Sequence, residues 1–131
     1  MDSTSKLLRE TRTTIYYRAP EVLLKGLHGK EIDVWALGSI IVELYLGKIP
    51  FIIHSHLPHI ISIQHMIGKI PDRMLDECNS QEMRDAIVNG VMNPSVLRQS
   101  DKDKLYKLRP LYSYFKNDYY LQDLVMRMMQ I

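Results

Sequence analysis

The sequence is short of the features that usually announce a chemistry. It has one cysteine, Cys78, in 131 residues. A lone thiol forms no disulfide within the chain and offers no pair to a zinc ion, which favours a reducing compartment. Excess charge is equally scarce, because 17 basic and 15 acidic side chains leave a formal charge of +2. So small a surplus gives no electrostatic case for nucleic acid or for an anionic membrane. The most apolar run, 32–46, is interrupted by Asp33 and Glu43 and is too short to span a bilayer. The stretch from Met1 to Glu10 is polar and lacks the apolar core of a signal peptide. Internal repeats and heptad runs are missing too. These absences point to a soluble, intracellular protein of the nucleus or cytoplasm.

What is present suits one globular domain. The chain is 46% hydrophobic and 24% charged, which excludes low-complexity disorder and collagen. Residues 1–14 are rich in Ser, Thr and charge and read as an exposed loop. Pro20 fits the first turn of a helix, with Glu21 at the positive end of its dipole and Gly26 to stop it after about two turns. Residues 32–46 are apolar on nearly every side, which predicts a helix buried all round. Gly47 is placed to cap it and Pro50 to prevent continuation. Gly38 inside that helix costs about 1 kcal/mol relative to Ala. A close approach by another backbone would explain it.

A third helix is predicted over 57–67, with most of its apolar residues on one face, and Gly68 ends it. A shorter one runs from about Gln81 to Asn89, where Asn79 and Glu82 have capping-box spacing. Residues 90–117 read as irregular, with Pro94, Pro110 and the charged run 101–104. The last helix starts near Tyr119 and sets Leu121, Leu124, Val125 and Met128 on one face. No run of alternating strands stands out, so the fold class is mainly α with long loops.

Two motifs carry a resemblance. Tyr17-Arg18-Ala19-Pro20-Glu21, followed by Asp33-Val34-Trp35-Ala36-Leu37-Gly38, resembles the C-terminal lobe of eukaryotic protein kinases. Ala-Pro-Glu closes the activation segment there, and Asp-x-Trp-x-x-x-Gly opens the central helix. Tyr-Arg before Ala-Pro-Glu is similar to the cyclin-dependent, MAP and LAMMER branch. Phe51, His54 and His59, then Ile67-Gly68-Lys69-Ile70-Pro71 and Met74, and later Arg109-Pro110-Leu111, most resemble the LAMMER (CLK) kinases. Thr14 is followed by Ile15 where the branch commonly has Arg, and Ser39 stands where those families often have Cys.

The resemblance implies an incomplete helical lobe without a β-lobe or catalytic loop. Its parts would be an activation-segment remnant (1–14), the substrate loop and central helices (15–75), a family-type insert (76–117) and a late helix (118–131). It implies ATP and magnesium for the intact family enzyme. The Gly-rich loop, strand lysine, His-Arg-Asp and Asp-Phe-Gly motifs that hold them are not in these residues. No catalytic residue is therefore assigned, and neither ATP nor magnesium is expected to bind this chain alone.

Thr14, Tyr17 and Arg18 would meet a protein substrate through the activation-segment loop. Each has a plain structural alternative: a loop threonine, a core tyrosine and a surface arginine. Ala19, Pro20 and Glu21 would anchor the loop, with an arginine as the usual partner of the glutamate. Asp33 would accept hydrogen bonds from the catalytic-loop backbone, or else serve as a simple N-cap. Trp35 and Gly38 are packing residues either way. His54, His56, His59 and His65 have a spacing that could collect a zinc ion, but no cysteine lies near and the kinase resemblance places no metal there. Protein substrates are the expected partners, without direct nucleic-acid or membrane contact. The alternative function is a non-catalytic docking or scaffold module that presents the substrate loop and the helix over 57–67.

Overall fold

The computed structural model describes residues 16–26 and 29–131, and Thr14 with the rest of 1–15 lies outside them. The described chain is mostly helical. Helix α1 (Pro20–Leu23) starts on a proline, whose missing N–H needs no partner there. It is one turn long, not two. Its end is a Schellman arrangement in which Gly26 N–H bonds Glu21 O at 3.0 Å and Lys25 N–H bonds Val22 O at 3.0 Å. The left-handed residue is Lys25, with φ 59°, and not the expected Gly26. Gly26 is needed for space, because a Cβ there would lie 3.2 Å from the Glu77 carbonyl oxygen.

Helix α2 (Glu31–Leu46) ends on Gly47, whose φ of 81° is a left-handed conformation that favours a residue without a Cβ. The expectation of all-round burial fails here. Trp35, Gly38, Ser39 and Val42 form one buried stripe, while Leu37 is 52% and Leu44 79% exposed. The stripe packs on α7 (Tyr119–Met128). Gly38 makes room for side chains of that segment and not for a backbone. A Cβ at Gly38 would sit 2.7 Å from Met129 Cγ and 3.1 Å from Met128 Cβ. On α7, Val125 is buried but Leu124 is 47% exposed, so the expected apolar face is only partly used.

The all-round burial belongs to α3 (His56–Met66). Pro58, His59, Ile60, Ile61, Ser62, Ile63 and Met66 are all buried. This helix therefore cannot present the docking surface considered above. Helix α1 packs on it, as does α6 (Gln99–Lys107). Between them lie α4 (Asp72–Asp76) and α5 (Gln81–Asp85). The α5 cap is Ser80, whose hydroxyl accepts from Met83 N–H at 3.4 Å. Asn79, the expected cap, instead donates to Lys25 O at 3.1 Å.

Two further features correct the reading of 81–89 as one helix, of 90–117 as irregular and of the chain as strandless. Ile87–Val88 and Val91–Met92 pair as antiparallel strands β1 and β2. They are joined by Asn89 at φ 54° and Gly90 at φ 79°, the two-residue turn that Asn-Gly favours. The charged run is helical, and α6 buries Asp101 and Leu105. Short 3-10 turns at Pro94–Val96 and Leu111–Phe115 complete the segment.

The Gly38 contact is testable. Gly38→Val should destabilise the fold by about 1–3 kcal/mol, the usual cost of overpacking a filled contact. Urea unfolding checks this, and Met129→Ala in the same chain should recover part of the loss. An unchanged midpoint for Gly38→Val would contradict the packing.

Candidate functional site

The motif residues gather where the segment before α1 crosses α2 and α3. Tyr17 donates from its phenol to Glu43 Oε1 on α2 at 2.6 Å. That bond, with burial and the Glu43 charge, pushes the Tyr17 phenol above its ordinary value. Arg18 Nη1 donates to His56 Nε2, at the first residue of α3, at 2.7 Å. Ala19 and Pro20 are buried, and the Ala19 carbonyl starts the helix by accepting from Val22 and Leu23 N–H at 3.0 and 3.1 Å. The loop is thus fixed at three successive points. Tyr16 is exposed beside it.

Glu21 is half-buried and lines an open cleft of about 590 Å³ with Glu31, Arg73 and Glu77. No ion pair of Glu21 occurs among the described residues, and Arg73 lies 3.9 Å from Glu77 instead. Asp33 is exposed in the first turn of α2 and is not its cap, since Lys30 holds that position. Trp35 is buried, and its Nε1 and the Ser39 Oγ one turn on have no hydrogen-bond partner among the described residues. The structure thus brings Tyr17 and Arg18 together with Glu43 and His56, and leaves Asp33 apart.

Sequence reasoning missed Glu43 and His56 as partners. Glu43 was visible only as a carboxylate interrupting an apolar helix, a position that demands a donor. His56 carried no signal of its own, because its partner is 38 residues away.

The other histidines are not gathered at one point. His54 Nε2 donates to the buried Asp101 Oδ1 at 2.8 Å, with Arg98 Nε 3.5 Å from Asp101 Oδ2. His65 Nε2 donates to Leu108 O at 3.1 Å. His59 is fully buried against Phe51, with ring centroids 5.8 Å apart. No group of three or more His, Cys, Asp or Glu able to hold a metal occurs among the described residues. None of the described helices is long and apolar enough to cross a membrane.

Comparison with known proteins identifies the family. The protein kinase domain family matches residues 1–130, and the chain belongs to that family. Among its relatives are LAMMER-type kinases. It is 37% identical over 70 residues to the dual specificity protein kinase CLK2 of Homo sapiens, which covers 53% of this chain and 14% of that protein. It is 42% identical over 62 residues to the serine/threonine-protein kinase Doa of Drosophila melanogaster, covering 47% of this chain and 8% of that protein. The matched segment is thus a small part of the length of these curated relatives. A crystal structure of a kinase domain superposes with a TM-score of 0.77 at 28% identity, over 88% of this chain and 35% of that one.

Burial, with His56 and Arg18 nearby, pushes His59 from 6.5 down to about 3. Below 6.5 the unfolded chain takes up a proton that the folded chain refuses until about 3. The stability held by neutral His59 is complete above that range and falls with pH by up to about 1.4 kcal/mol per unit. Urea unfolding over this interval should show a shallower slope for His59→Phe than for the parent chain. Equal slopes would contradict the assignment.

Proposed function

We propose that this chain carries the substrate-loop side of a protein kinase, of serine/threonine specificity as in its relative Doa or of dual specificity as in its relative CLK2, that transfers the ATP γ-phosphate to protein hydroxyls. The observation that carries this reading is the anchoring of Tyr17 and Arg18 to α2 and α3 by side-chain hydrogen bonds of 2.6 and 2.7 Å. A loop that must position a peptide needs such fixed supports, because catalysis of phosphoryl transfer is largely positioning and charge neutralisation. Thr14, Tyr17 and Arg18 then meet the substrate, and Ala19, Pro20 and Glu21 hold the loop. On this reading Asp33, exposed in the first turn of α2, accepts hydrogen bonds from a catalytic-loop backbone.

The residues present do not fit magnesium and ATP. The sequence has no Gly-rich phosphate loop, no His-Arg-Asp and no Asp-Phe-Gly. On this reading these 131 residues alone bind neither and transfer no phosphate. The exposed face of α2, with Val34, Leu37 and Leu44, supports the same view, since a helix so apolar gains by being covered from that side.

Two titrations test the reading. Short serine peptides should perturb the NMR signals of Tyr17 and Arg18, and calorimetry with ATP and magnesium should give no saturable heat. Peptides that perturb other residues only, or a saturable micromolar ATP site, would contradict it.

A further inference from the structure

We propose that His56 is a positioning residue for Arg18, holding the guanidinium in the substrate loop while its imidazole is neutral and releasing it when protonated. The inference rests on the reading of Arg18 as a substrate contact. A guanidinium only donates hydrogen bonds, so the 2.7 Å contact requires His56 Nε2 to accept. Its ring proton must then sit on Nδ1. A protonated His56 would set two cations in contact and lose the bond. Its place at the first residue of α3, the positive end of that helix, also disfavours the charged ring.

The surroundings act in the same direction. Burial, then Arg18 before α1, then Lys25 after it, lower the His56 pKa, and Glu82 on α5 opposes them. His59, three residues on along α3, is neutral over the same range because burial pushes it down to about 3. Near neutral pH His56 is therefore an acceptor and Arg18 is held. One Nη of Arg18 is engaged by the ring, and the rest of the fork can donate to a carbonyl or carboxylate of a bound peptide. A histidine thus gives the loop a pH response that an amide in its place would not.

The experiment has a spectroscopic arm and a binding arm, both on the full 131-residue chain. Imidazole ¹⁵N spectra should show His56 as the Nδ1–H tautomer, with a pKa that rises in Arg18→Gln. Serine peptides carrying Asp, Gln or Arg directly after the serine are then titrated by NMR from about pH 7.5 to about pH 5. The parent chain should lose at least threefold in affinity on acidification. His56→Gln, which keeps a neutral acceptor, should bind with a flat pH profile, and His56→Lys should bind weakly throughout. An Nε2–H tautomer overturns the proposal whatever the variants do. Binding that depends on Arg18 but ignores pH and both His56 variants overturns the proposal and leaves the substrate-loop reading standing. No peptide binding, or equal binding by Arg18→Gln, overturns that reading and the proposal with it.

Discussion

Everything in this chain hangs from the burial of α3. Ile60, Ile61, Ser62 and Ile63 are consecutive and all fully buried, so neighbours must surround the middle of the helix, while His65 near its end stays exposed. Burying each large aliphatic side chain is worth about 1.5–3 kcal/mol. The polar side chains on α3 bond the covering elements. Gln64 both donates to Met92 O and accepts from Met92 N–H, each at 2.9 Å, and so fixes the hairpin. Ser62 Oγ accepts from Ile52 N–H at 3.2 Å and donates to His59 O at 2.8 Å. His65 takes the carbonyl that follows α6, and His56 takes Arg18. An apolar helix thus supplies cohesion, and a few polar groups on it set the register of what surrounds it.

This explains why the segment before α1 is held where it is. The loop lies across one end of α3 and is also tied to Glu43 on α2. Helix α2 has a different role. Its buried stripe meets α7 at Gly38, and its opposite face is open. The chain belongs to the protein kinase domain family, and the geometry assigns this segment and both helices a mechanical task each.

Much of the fold was legible because it depends on local chemistry. Pro20 begins α1, Gly47 ends α2 in a left-handed conformation, and α7 begins at Tyr119 as its apolar spacing required. The failures were of two kinds. Some were local signals passed over: Asn89-Gly90 is a strong turn pair, and Ser80 is as good a cap as Asn79. Others were beyond local reading. Whether α2 or α3 is surrounded depends on which elements return to it, and both are apolar in composition. The run 101–104 looks like a solvated loop until His54 and Arg98 are seen to pair with Asp101, 47 and 3 residues away. The site itself was half legible: the motif named Tyr17 and Arg18, while their supports on α2 and α3 follow only from the tertiary fold.

The most direct test of α3 as the organising element is native-state hydrogen exchange on the 131-residue chain. Amides of α3 from Ile60 to Met66 should exchange slowest, through global unfolding, and those of α2 with its open face should exchange faster by local opening. A pattern in which α2 is the last to exchange, with α3 open earlier, would contradict the account.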